Sequence, residues 1–226
     1  MEVLYEDNHL IIVSKRAGEI VQGDKTGDTP LSETVKQYIK EKYHKPGEVF
    51  IGVVHRLDRP VSGVLCFART SKGLSRMNQL FTQGHQVNKT YLALTATPPP
   101  QNEGVLTHWL TRDTEKNKAR AYDREVPKSK KAVLDYKLLG KTDRYYLLKV
   151  CLHTGRHHQI RCQLAKMGCP IRGDLKYGAP RSNPDGSISL HAYHLSFEHP
   201  VSHTAVDVKA PLPQEKVWQS VIHLLD

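Results

Sequence analysis

Two stretches of this chain hold ionisable side chains in patterns that chemistry uses. The first is His55-Arg56-Leu57-Asp58-Arg59-Pro60-Val61-Ser62-Gly63-Val64-Leu65, in which Asp58 stands among arginines. Ile51-Gly52-Val53-Val54 precedes it and Cys66-Phe67-Ala68 continues the apolar run behind it, so two strand-like segments pin the charged connection at both ends. A carboxylate held there, with guanidinium groups nearby to favour its ionised form, is a candidate nucleophile. The second is His153-Thr154-Gly155-Arg156-His157-His158-Gln159-Ile160-Arg161, which ends a strand-like run, turns at Gly155 and opens a helical one. Helix N-termini favour anions, and Arg156 and Arg161 add two fixed cations. Phosphate or carboxylate binding fits this set better than a metal held by His153, His157 and His158, because the spacing is not HExxH and no carboxylate stands close in sequence. Ser62 lacks the GxSxG setting of a hydrolase nucleophile.

The elements that must position these residues follow from hydropathy period and turn chemistry. Val3-Leu4-Tyr5 and Leu10-Ile11-Ile12-Val13 read as strands around a polar turn. Thr29-Pro30-Leu31 opens a helix with Leu31, Val35, Tyr38 and Ile39 on one face, running to about Tyr43. Ser71 is a suitable N-cap for a helix carrying Leu74, Met77 and Phe81, which Gly84 ends. Residues 86–96 read as a strand and Pro98-Pro99-Pro100 as a stiff surface linker. Residues 112–131 are rich in Lys and Arg with little apolar content, which suits a hairpin or a mobile arm. Residues 132–139 and 145–152 read as paired strands, 158–167 as a helix, and 187–197 and 205–209 as late strands. A closing helix carries Val217, Trp218, Val221 and Leu224. Strands outnumber helices and follow one another, so the pattern implies an α+β fold with a mixed, largely antiparallel central sheet flanked by helices and loops.

Composition narrows the partners. The 33 Lys and Arg against 23 Asp and Glu leave a net charge of +10, a balance that attracts polyanions, above all nucleic acid. The four cysteines form no CxxC pair and read as buried free thiols rather than a zinc cage or disulfide framework. No apolar run is long enough to cross a bilayer, and the acidic, strand-like N-terminus is unlike a secretory signal. The expectation is a single domain over residues 1–226, acting in the cytoplasm.

The blocks together resemble a family. Residues 55–65 with Ala68-Arg69-Thr70 are similar to the HRLDxxTSGxLLxAKT signature of the RluA-type pseudouridine synthases. Residues 152–161 resemble the family's LxTGRxHQIR motif, and Lys89-Thr90-Tyr91-Leu92-Ala93 its K-x-Y-x-A strand. Gly173-Asp174 with Tyr177-Gly178 matches GDxxYG, and Leu190-His191-Ala192 with Leu195, Phe197 and His199-Pro200 matches LHAxxLxFxHP. The order and spacing hold from about Val3 to Pro213. Departures are modest: Val61 replaces the usual Thr, Arg69 the usual Lys, and Lys15-Arg16-Ala17-Gly18 lacks the Pro of KPAG.

The resemblance implies the pseudouridine synthase catalytic fold and isomerisation of uridine to pseudouridine in ribosomal RNA or tRNA, by a monomer needing neither cofactor nor metal. It assigns the essential carboxylate to Asp58, the active-site ring to Tyr91 and the cation paired with that carboxylate to Arg161. It makes Ile160 an apolar contact to the base and Arg56, with His55 beside it, a substrate contact filling the gap left by an extruded nucleotide. The S4 domain of many relatives is expected to be absent, which shifts RNA docking onto the basic surface: Lys116, Lys118, Arg120, Lys128, Lys130 and Lys131 are the candidate phosphate contacts.

Overall fold

Leu10, Ile11, Ile12 and Val13 are completely buried, as a strand covered on both faces requires. They lie in β2 (Leu10–Lys15), which pairs antiparallel with β1 (Glu2–Glu6). The turn between them is closed by the Asp7 carboxylate, which accepts the N–H groups of His9 and Leu10, both at 2.7 Å. The structure, a computed structural model, describes residues 1–24, 26–82 and 86–225. Along the chain follow α1 (Leu31–Lys42), β3 (Gly52–Val53), β4 (Ser62–Ala68), α2 (Ser71–Thr82), β5 (Val87–Thr95) and β6 (Glu103–Asp113). Then come β7 (Lys118–Tyr122), β8 (Lys130–Lys141), β9 (Tyr146–Leu152), α3 (Gln159–Lys166), β10 (Leu190–Glu198), β11 (Ala205–Lys209) and α4 (Lys216–Gln219). The α+β class and the largely antiparallel pairing agree with the sequence pattern. The elements fall into two units, Met1–Val87 with Ala192–Pro211, and Asn88–His191 with Leu212–Asp226.

In the first unit β4 pairs antiparallel with β2, from Leu10 against Ala68 to Lys15 against Gly63, and β3 joins the same strand. The Ala192–Glu198 part of β10 neighbours β4 and pairs with β11. Gly63 permits that approach. Its φ is +121°, and a Cβ there would lie 2.2 Å from the carbonyl oxygen of Ala192. Leu10, Ile12, Val64, Cys66, Met77, Leu195, Phe197, Val206 and Val208 make the core, the Met77 side chain entering it from α2. The N-cap of α2 is Thr70, one residue earlier than the sequence pattern placed it, because its Oγ1 accepts the N–H of Gly73 at 3.0 Å. Gly84, expected to end that helix, lies outside the described residues.

In the second unit the strand order is β5-β9-β8-β6-β7, every neighbour antiparallel. The basic segment 112–131 is a hairpin, since β6 pairs with β7 across a turn and with β8 on its other side. Register and alternation place His108, Ala132, Leu134, Leu152, Tyr136, Val150 and Tyr91 on one face of these strands. α3 covers that face. Gln163 fastens it, Nε2 donating to the carbonyls of Leu106 (3.2 Å) and Ala132 (3.3 Å) and lying 2.9 Å from Nδ1 of His108. The expected closing helix is two short pieces, α4 and a 3₁₀ turn at Ile222–Leu224, with Trp218 buried.

Candidate active site

Asp58 sits on a backbone that is held before its side chain is considered. Lys15, the last residue of β2, is only 1% exposed. Its ammonium donates to the carbonyls of Val61 (2.7 Å), Arg16 (3.0 Å), Arg59 (3.1 Å) and Asp58 (3.3 Å). The N–H of Val61 closes a turn onto the Asp58 carbonyl at 3.0 Å, and that of Gly18 donates to Arg59 at 2.8 Å. Desolvation pulls the Lys15 ammonium down from the usual lysine value to about 8, against the charges of Glu19 and Asp58, which favour its protonated form. Leu57 is buried, Asp58 half-buried and Arg56 exposed, while Arg59 pairs with Asp28 at 2.6 Å. Nε2 of His55 accepts the N–H of Cys66 at 3.0 Å and the ring stacks on Phe81 with centroids 4.9 Å apart. That ring, expected as a substrate contact, is thus also tied into the fold.

The second unit carries Tyr91, Ile160 and Arg161. Tyr91 is half-buried on the face of the strands that α3 covers, and Ile160 is buried. Arg161 makes a buried fork with Asp174, Nε to Oδ2 at 2.7 Å and Nη2 to Oδ1 at 2.8 Å. Its Nη1 lies 3.0 Å from Nε2 of His158, and its guanidinium carbon 5.1 Å from the centre of the Tyr177 ring. Because Arg161 can only donate, Nε2 of His158 is an acceptor and the imidazole is neutral with its proton on Nδ1. That proton is donated to the Tyr177 oxygen at 2.9 Å, which also accepts the N–H of Ala119 at 2.7 Å. Burial, the first cause, raises the Tyr177 phenol well above its usual range. Asp174, which the sequence pattern left without a role, is the partner of the guanidinium's fork within this unit.

The turn before α3 is equally fixed. Gln159 Oε1 accepts the Thr154 hydroxyl (2.8 Å) and the Arg156 N–H (2.9 Å), while its Nε2 donates to the Val133 carbonyl at 3.1 Å. Nε2 of His153 lies 2.6 Å from Asp135, so both His153 and His158 of the metal alternative are engaged with side chains of their own unit.

The expected phosphate contacts do not form one patch. Lys116, Arg120, Lys128, Lys130 and Lys131 are exposed. Arg120 and Lys131 align with Thr111 and Trp109 on the face away from α3, whereas Lys130 aligns with Leu110 on the α3 face. Lys118 is half-buried with its ammonium 5.2 Å from the Tyr177 ring centre.

Two buried charged residues beside the predicted site residues had no role in the sequence pattern, Lys15 and Asp174. Each was visible as a charged residue inside an apolar or Gly-rich block, without a sign of which partner it would meet.

A family model described as RNA pseudouridylate synthase matches residues 9–166, a span that includes Lys15, Asp58, Tyr91 and Arg161. The tRNA pseudouridine synthase C of Pectobacterium carotovorum subsp. carotovorum is 30% identical over 98% of this chain, which spans 61% of that relative. Ribosomal large subunit pseudouridine synthase D of Zymomonas mobilis subsp. mobilis is 29% identical over 95% of this chain and 70% of its own length. The solved human RNA pseudouridylate synthase domain containing 4 shares the fold, with a TM-score of 0.79 over 99% of this chain and 92% of its own at 24% identity. The chain belongs to the RNA pseudouridylate synthase family, isomerases that form pseudouridine in RNA.

Two predictions follow from the buried charges. Lys15 titrates at about 8 in the folded chain against 10.5 for an unperturbed lysine, so between those values the unfolded chain binds the extra proton. Its contribution to stability is therefore full above 10.5 and lost as the pH falls through about 8. The unfolding free energy of wild type minus that of Lys15→Met should rise from about pH 7 to about pH 10 in urea titrations; a difference flat with pH would refute this titration. Asp174→Asn removes the charged carboxylate of the buried Arg161 fork and is expected to lower stability by roughly 3–5 kcal/mol by the same method, a loss under about 1 kcal/mol speaking against a structural ion pair.

Proposed function

We propose that this chain isomerises a specific uridine in structured RNA, tRNA or ribosomal RNA, with Asp58 as the essential carboxylate. The N1–C1′ bond breaks, the uracil turns, and C5 bonds to C1′; the proton lost from C5 is balanced by one gained at N1. Nothing is oxidised or hydrolysed, so the reaction calls for no cofactor or metal, and the chain acts as a monomer. Asp58 serves either by bonding covalently to the nucleotide or by removing the C2′ proton, and both roles start from an ionised carboxylate in a fixed position. Tyr91 is assigned to stacking on the uracil, Ile160 to apolar packing against it, and Arg161 to the cationic side of the reaction. Extruding the base costs a few kcal/mol of unstacking, part of which the exposed Arg56 guanidinium recovers by stacking, with His55 holding its loop.

The observation that carries this reading is the threefold fastening of the Asp58 connection by Lys15, which gives Asp58 the rigid backbone a catalytic carboxylate needs. The names of the Pectobacterium and Zymomonas relatives support tRNA and ribosomal RNA as the substrate classes. The free thiols Cys66, Cys151, Cys162 and Cys169 suit the cytoplasm, and no helix among the described residues is long and apolar enough to cross a membrane.

The test is incubation of wild type and Asp58→Asn with tRNA and ribosomal RNA transcripts, scored by carbodiimide mapping. Wild type should give a stop at a defined uridine and the variant none, with RNA affinity kept within about twofold because only the reacting carboxylate changes. Equal product from both would reject Asp58 as the essential group. The phosphate contacts are tested separately: neutralising Lys116, Lys118, Arg120, Lys128, Lys130 or Lys131 should each lower the slope of log affinity against log salt by about 0.9 where a phosphate is met. An unchanged slope removes that residue from the set.

A further inference from the structure

Gly155 lies in the turn between β9 and α3, yet its backbone does not call for glycine, since its φ is outside the left-handed region. A Cβ built there would meet a single heavy atom within 4 Å, the Nζ of Lys89 at 3.8 Å. The turn is held by the Gln159 bonds to Thr154 and Arg156, and by the Val133 N–H donated to Thr154 Oγ1 at 2.9 Å. Lys89 stands two residues before Tyr91 on β5, so strand alternation sends both side chains to the face that α3 covers. Lys89 is half-buried, and desolvation pulls its ammonium below the usual lysine value. A cation thus faces a backbone stripped of its side chain, at an exposed turn beside the strand that carries Tyr91. Glycine without a conformational need is what a close-approaching ligand requires.

We propose that Lys89 and Gly155 form a seat for one phosphate of the RNA backbone next to the target uridine, the ammonium supplying charge and the missing Cβ supplying approach. The proposal rests on the reading of this chain as a uridine isomerase acting on RNA, and it adds a positioning residue to the groups assigned above. The occupant is a phosphodiester because the substrate is a polyanion and the opposing group is a point charge without the planar fork that selects carboxylates.

The experiment uses synthetic stem-loops carrying the uridine mapped by carbodiimide, with the phosphate on its 5′ or its 3′ side replaced by a neutral methylphosphonate. Affinities are measured for the full chain, Lys89→Ala and Gly155→Ala. One replacement should weaken wild-type binding about tenfold, Lys89→Ala should weaken binding of unmodified RNA about tenfold, and the two losses should not add. The salt slope should fall by about 0.9 in Lys89→Ala. Gly155→Ala should keep the wild-type urea midpoint, since its Cβ meets no backbone or packed side chain, yet bind RNA more weakly. The seat is overturned if Lys89→Ala keeps the full methylphosphonate penalty, if wild type is indifferent to both replacements, or if Gly155→Ala binds as wild type. Those failures leave wild-type product formation intact, whereas absence of product on every RNA fails the isomerase reading and the seat with it.

Discussion

The connection that carries Asp58 is held by one buried ammonium. Taking the Lys15 charge out of water costs several kcal/mol, and the dipoles of the Arg16, Asp58, Arg59 and Val61 carbonyls, aimed at one nitrogen, offset part of that cost, the remainder showing in the lowered ammonium pKa. Fixing the backbone of each loop residue costs about 1–2 kcal/mol of conformational entropy. Leu57 and Val61 are the buried apolar side chains of this otherwise charged connection, and the ammonium adds to their packing by holding the backbone between them. The other end of the connection is set by Gly63, whose bare Cα lets β4 approach the backbone at Ala192. A larger residue at that point would move the strand that follows Asp58, and the loop would lose its frame.

The second unit repeats the device with different groups. Arg161 and Asp174 are both buried, and their fork leaves neither charge uncompensated. The same guanidinium makes His158 a neutral acceptor and links it to Tyr177 and to the backbone of β7. His158 adopts a φ of +51°, a left-handed conformation that a side chain of this kind holds only when its surroundings over-determine it. The bonds at both ring nitrogens and the stacking of His157, with centroids 3.8 Å apart, supply that determination. The outcome is a turn and helix start whose positions do not depend on solvent-exposed contacts.

The isomerisation proposed here draws on placement and electrostatics, and rigidity at these two turns serves both. The exposed lysines and arginines of the basic hairpin lie on both faces of the β6, β7 and β8 strands.

Much of the architecture was legible in local pattern. The strands on either side of Asp58, the helix after Gly155 and the α+β class follow from hydropathy period and turn residues, because those signals act over a few residues. β6 was not legible: Leu106, His108 and Leu110 are apolar or buried on one face while Val105 and Trp109 stand on the other, so the alternation is blurred. The cap of α2 shifted by one because Thr70 and Ser71 are both hydroxyl residues and only backbone geometry decides which oxygen reaches an N–H.

By itself the sequence determined the motif blocks, hence the family and the reaction class, and it singled out Asp58, Tyr91 and Arg161 as candidates. Only the tertiary structure decided that Lys15 fastens the Asp58 backbone, that Asp174 is the carboxylate forked by Arg161, and that Lys89 faces Gly155. The reason is that a buried charge finds its partner through space, across 43 residues for Lys15 and Asp58 and 13 for Arg161 and Asp174, and no local spacing records which pairing the fold will close.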